Sequence, residues 1–203
     1  WRIGAEIEIP PEVALGTVPR TRIATRWLSA VLLALTMSLA GIWHAAAEPA
    51  EVDLQLVLAI DASLSIDAEE AQLQRQGYIT ALTDPKIVRA IRAGSTGQIA
   101  VFYFEWASEF YQRVVIDWTV IKDEASARAV ADKIASSPYR GERRTSISGA
   151  ILYAAQQFDK SYASERKVID VSGDGRNNSG PPMEPARAEV LGRHLVLIEA
   201  RAR

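Results

Sequence analysis

The sequence predicts an α/β domain: a mostly parallel sheet covered on both faces by helices, with one antiparallel edge strand. Val52 to Ile60 is almost continuously apolar, as a strand buried on both faces of a parallel sheet must be. Strand-like segments then alternate with segments of helical period, the pattern of strand–helix–strand units. The exception is a pair of runs rich in β-branched and aromatic residues, Gln98 to Glu105 and Tyr111 to Trp118. The link between them is short and polar, so they read as a hairpin.

After the first strand, Asp61-Ala62-Ser63-Leu64-Ser65 is a polar loop. A helix follows over Ile66 to Leu82, with Leu73, Gln76, Gly77 and Ile79 to Leu82 at helical intervals. Asp67, Glu69 and Glu70 sit in its first turn, where the helix dipole favours acids. Thr83-Asp84-Pro85 breaks this helix, a short one covers Lys86 to Arg92, and Gly94-Ser95-Thr96-Gly97 is a turn. Beyond the hairpin, Lys122 to Ser136 places Ala127, Val130, Ala131 and Ile134 on one helical face before Pro138 closes it. Ser148 to Phe158 is the next helix, entered through Arg143-Arg144-Thr145-Ser146. Lys167 to Ser172 is a strand ending in Gly173-Asp174-Gly175, Glu184 to Leu191 reads as a helix, and Leu195 to Ile198 as a strand.

Upstream of this domain, Arg20, Arg22 and Arg26 precede an apolar run from Trp27 to Ala40, then Ala45-Ala46-Ala47. A basic start, an apolar core and a small-residue exit are the layout of a secretory signal peptide, with an uncleaved anchor as the competing reading. Residues 1–19 lack methionine and a clear period and read as upstream sequence outside any domain. The expected organisation is therefore 1–19 upstream, 20–47 signal peptide cleaved near Ala47, and 48–203 a single domain, periplasmic or secreted.

The chain has 203 residues, 48% hydrophobic and 24% charged, which suits a globular domain and not a disordered tail or a coiled coil. Its net charge of −2 supplies no basic field for a nucleic-acid backbone. There is no cysteine, and His44 and His194 are the only histidines, which removes thiolate sites and multi-histidine zinc sites together. His44 lies in the signal segment, and His194 has no evident acidic partner. Any metal must therefore be held by oxygen.

In parallel α/β sheets ligands bind beyond the carboxyl ends of the strands, where the strand order reverses. Asp61, Ser63 and Ser65 form D-x-S-x-S after the first strand, Thr145 opens a later helix, and Asp174 ends the strand before Gly175. Hydroxyls, carboxylates and waters suit a hard cation such as Mg2+ or Mn2+. D-x-S-x-S alone is equally a helix cap or a loop former.

Together, the three loops resemble the metal-ion-dependent adhesion site of von Willebrand factor type A domains, over about residues 52–199. Val171-Ser172-Gly173-Asp174-Gly175, Asn177-Asn178-Ser179-Gly180 and Glu105-Trp106 resemble uncharacterised exported bacterial members of that superfamily. The resemblance implies a Rossmann-like three-layer fold. It also implies a cation held directly by Ser63, Ser65 and Thr145, with Asp61 and Asp174 acting mainly through waters, so that the ion accepts an acidic side chain of a partner protein. Many members have Thr-Asp-Gly in the third loop, where this chain has Gly173 before Asp174. Six strands are expected of the family, so this version reads as truncated after Leu195 to Ile198, with the final strand and its flanking helices missing.

The expected function is an exported, metal-dependent protein-binding module with no catalytic residues. The alternatives are a serine hydrolase using Ser63, Ser146 or Ser148, a metal-assisted hydrolase, or a scaffold whose loops only cap helices. No G-x-S-x-G elbow and no phosphate-binding G-x-x-x-x-G-K-[ST] loop occurs. Arg143 and Arg144 read as a solvated basic pair sooner than as a ligand clamp. Tyr103 reads as core, Trp106 as core or binding face, and Asn177 and Asn178 as turn formers.

Overall fold

The computed structural model describes residues 50–64, 67–158, 162–173 and 175–200. In chain order its elements are β1 (Ala50–Glu51), β2 (Leu54–Asp61), α1 (Ala68–Thr83), α2 (Pro85–Arg92), β3 (Ile99–Trp106), β4 (Gln112–Ile121), α3 (Glu124–Ser136), α4 (Ile147–Gln157), β5 (Tyr162–Ala163), β6 (Lys167–Ser172), α5 (Met183–Gly192) and β7 (Val196–Ala200). The main sheet runs β4-β3-β2-β6-β7. Only the β3–β4 pairing in it is antiparallel, so β4 is the antiparallel edge strand that the hairpin predicts.

Alternation along the strands loads both faces of the sheet. One face carries Val57, Ala59, Phe102, Phe104, Trp106, Ile169 and Val171 against Ile151 and Ala154 of α4 and Ala186 and Val190 of α5. The other carries Leu58, Ile60, Val101 and Tyr103 against Leu82 of α1, Val88 and Ile91 of α2 and Val130 and Ile134 of α3. Three layers result, with β2 at the centre. The chain leaves β2 toward α1 on one face and leaves β6 toward α5 on the other. The crevice between the carboxyl ends of β2 and β6 is therefore the point where the strand order reverses.

Helix starts follow their caps. Asp67 lies outside α1 as its N-cap and accepts from the Glu70 N–H at 2.8 Å, so the helix begins two residues after Ile66. Asp84 caps α2, with Pro85 at the first helical position, and Asp123 forms a capping box with Ser126 on α3.

Of the positions read at helical intervals along α1, Ile79 and Leu82 face inward, whereas others do not. Leu73 is 67% exposed, and Gln76 and Gly77 face solvent as well. The inward positions are Ala71, Gln74, Arg75, Tyr78, Ile79 and Leu82. Two of these are polar because they serve buried groups of the sheet: Gln74 Nε2 donates to Ser172 Oγ at 2.8 Å, and Arg75 Nη2 lies 2.9 Å from Glu105 Oε1.

The parallel pairing of β1 with β5 is invisible in the sequence, since two-residue strands show no period. Among the described residues no helix is long and apolar enough to cross a membrane. The segments read as upstream sequence and signal peptide lie outside the described residues.

Candidate metal centre

Three loops meet at the carboxyl ends of β2, β3 and β6. Asp61 ends β2 opposite Trp106 of β3, and its Oδ1 accepts the Ser63 N–H at 2.7 Å, which curls the first loop back on itself. The second loop docks on the first like a strand: Leu64 N–H donates to Glu142 O at 2.9 Å, and Glu142 N–H donates to Ala62 O at 3.0 Å. Ser63 thereby bridges Glu142. The next residues along the second loop are Arg143, Arg144 and Thr145.

The third loop is fastened to the second by the two asparagines. Asn178 Oδ1 accepts the Thr145 N–H at 2.9 Å, and Asn177 Oδ1 accepts both the N–H and the Oγ–H of Ser148 at 3.1 Å. Their role as turn formers is thus too narrow: they join loops 29 and 33 residues apart in sequence. Asparagines two and three residues after the strand-ending Gly-Asp-Gly were the available signal, and their partner could not be read from them.

Asp61, Ser63, Thr145, Ser146 and Ser148 are all at most 2% exposed, an unusual gathering of buried polar side chains. Ser146 Oγ caps α4 by accepting the Gly149 N–H at 3.1 Å. Thr145 follows a strained residue, because Arg144 holds φ at 69°, in the left-handed region. Ser65 and Asp174 lie outside the described residues.

Gly173 has a steric reason. A Cβ there would lie 2.8 Å from Asp61 Oδ2 and 3.1 Å from Trp106 Cζ2. A side chain added at this position would therefore meet the Asp61 carboxylate and the indole.

The residues present fit a hard cation. Hydroxyls of Ser63 and Thr145 and the carboxylate of Asp61 are buried oxygen donors on two loops that dock on each other. The Tyr139 phenol is pushed up, by burial first and then by Asp61 and Glu105. Among the described residues no three Asp, Glu, His or Cys side chains cluster as a metal cage.

Among the described residues the site holds no histidine. His194, the only histidine among the described residues, is exposed at a φ of 59° just before β7, at the opposite end of the sheet. Tyr103 and Trp106 are both fully buried, so both belong to the core. Arg143 and Arg144 are exposed, as a solvated pair should be.

The family described as Protein of unknown function (DUF1194) matches residues 51–200. The chain belongs to that family. Among curated proteins none matches it. Solved structures similar to this DUF1194 chain include proximal thread matrix protein 1 from the mussel byssus, at TM-score 0.57 and 16% identity, over 75% of this chain and 39% of that one. A von Willebrand factor type A protein from Catenulispora acidiphila aligns at TM-score 0.54 and 16% identity, over 74% of this chain and 33% of that one. A second structure of the mussel protein, described as having a zinc-occupied MIDAS motif, aligns at TM-score 0.51 and 14% identity, over 75% and 39%. The chain thus spans between a third and two fifths of the length of these proteins. At such identities the likeness establishes the fold, a Rossmann-like von Willebrand factor A fold.

Proposed function

We propose that this DUF1194 chain is an exported, metal-dependent protein-binding module. The observation that carries the reading is that the loop with buried Asp61 and Ser63, at the point where the strand order reverses, docks on the loop that carries buried Thr145. The mussel relative described with zinc in its MIDAS motif supports a divalent cation at the corresponding place. By resemblance, Ser65 and Asp174 complete the set, with Mg2+ or Mn2+ as the ion. When bound there, the ion supplies Lewis acidity toward a carboxylate. Asp61 orients the first loop, Ser63 and Thr145 offer neutral oxygens, and the few direct carboxylates leave the ion able to take an acidic side chain of a partner. Export rests on the sequence of residues 20–47.

The test is thermal unfolding of the full chain with Mg2+ or Mn2+ against chelator, beside Asp61→Ala and Asp174→Ala. A native-state ligand at a hundred times its Kd stabilises by about 2.7 kcal/mol. A rise in Tm lost in both variants supports the site. A transition indifferent to metal withdraws it and leaves a scaffold whose loops cap helices.

A further inference from the structure

Glu105 lies one residue before the end of β3, 1% exposed, and belongs to none of the three loops. Its Oε1 is 2.9 Å from Arg75 Nη2 of α1, and its Oε2 is 2.6 Å from Arg113 Nη2 of β4. Both guanidiniums reach on to one short stretch of chain. Arg75 Nη1 donates to Ser137 O at 2.9 Å, Arg113 Nη1 donates to Ser137 Oγ at 3.0 Å, and Arg113 Nη2 donates to Pro138 O at 2.8 Å. Ser137 is the C-cap of α3, the point from which the chain sets out toward Glu142 and Thr145. Further along, that stretch has the exposed bond from the Tyr111 hydroxyl to Arg140 O at 2.9 Å before it docks on Ala62 and Leu64.

We propose that Glu105 is a positioning residue for the metal centre, acting through Arg75 and Arg113 to fix where the Thr145 loop leaves α3. The inference rests on the metal-binding reading above. Stability is a poor account of this cluster. Burying the Glu105 carboxylate and most of two guanidiniums carries a desolvation cost, and apolar replacements of buried ion triads are often neutral or stabilising. What apolar replacements cannot do is hold the Ser137 and Pro138 carbonyls at fixed places. A planar guanidinium satisfies a carboxylate and a carbonyl at once in a rigid fork, which makes it suited to that task.

Position and charge can be told apart because they predict opposite signs. The triple variant Arg75→Met, Glu105→Leu, Arg113→Met removes a net positive charge close to the centre. Coulomb attraction alone then tightens cation binding, whereas loss of position loosens it. The experiment titrates Mn2+ into the full chain by calorimetry, with Tm measured without metal. The triple variant is expected to keep its Tm or raise it while Mn2+ affinity falls about tenfold or more, the range for groups that orient metal ligands. Arg113→Lys keeps the charge but cannot span Glu105, Ser137 and Pro138 together, and is expected to weaken Mn2+ severalfold at nearly constant Tm.

Wild-type affinity or tighter binding in the triple variant overturns the inference. If the triple variant does not fold, unchanged Mn2+ affinity in Arg113→Lys overturns it instead. Failure of the wild-type chain to bind Mn2+ is a separate result: it removes the metal centre itself, and the positioning role with it.

Discussion

Thr145 and Asn178 hold each other by two hydrogen bonds: the Asn178 N–H donates to Thr145 O at 2.9 Å, and the Thr145 N–H donates to Asn178 Oδ1 at 2.9 Å. The pair closes the gap between the second and third loops, and the side-chain half of it is the half a mutation can remove. Asn178→Ala leaves the N–H of a buried residue without its acceptor, which costs about 1–3 kcal/mol. Asn178→Asp keeps an acceptor oxygen and is expected to lose less. Urea unfolding measures both, and equal midpoints for wild type and Asn178→Ala would show that the bond does not fasten the loops.

Gly173 is confined by Asp61 on one side and Trp106 on the other. Gly173→Ala must push one of them, and overpacking of this kind costs about 1–3 kcal/mol. Trp106→Phe removes the ring atoms nearest the new methyl, so the double variant Gly173→Ala, Trp106→Phe is expected to lose less than the sum of the single changes. A double-mutant cycle by denaturant unfolding reads this coupling. Strict additivity would mean that the methyl is accommodated elsewhere.

Most of the sheet was legible because apolar runs and alternation are local signals. The end of Lys167–Ser172 falls where the sequence puts it, and the hairpin supplies the antiparallel edge. The three loops were also legible as positions, since Asp61, Thr145 and Gly173 each end a strand or open a helix. Their fastening was not. Asn178 finds Thr145 across 33 residues, and Glu105 finds Arg75 and Arg113 only once β3, β4 and α1 are packed together. The same long-range partnership misled the reading of α1, where inward positions occupied by Gln74 and Arg75 look like solvent positions and Leu73 looks like core.

Leu73 therefore gives a sharp check on the phase of α1. With its side chain 67% exposed, Leu73→Gln is expected to change unfolding free energy by no more than about 0.5 kcal/mol, whereas Leu82→Ala, at 6% exposure, should cost about 2–5 kcal/mol. Comparable losses in the two variants would put Leu73 back on the buried face.

Asp53 sets an acid limit of its own, at the end of the sheet away from the loops. Its carboxylate accepts from Ser95 Oγ at 2.6 Å, Thr96 N–H at 2.8 Å and Gln98 N–H at 3.3 Å, pinning the Gly94–Gly97 turn to the start of β2. The Ser95 hydroxyl first, then the Thr96 N–H, lower its pKa from 3.8 to about 2. Because the folded value lies below the unfolded one, the unfolded chain takes up the proton first as pH falls. The contribution is complete above about pH 4 and is lost progressively on the way down through about pH 2. Asp53→Asn abolishes that titration, so its unfolding free energy should fall less steeply than wild type across this window, while the two slopes match near neutrality. Urea unfolding at stepped pH checks it, and parallel curves through the acid range would show that the turn does not depend on the ionised carboxylate.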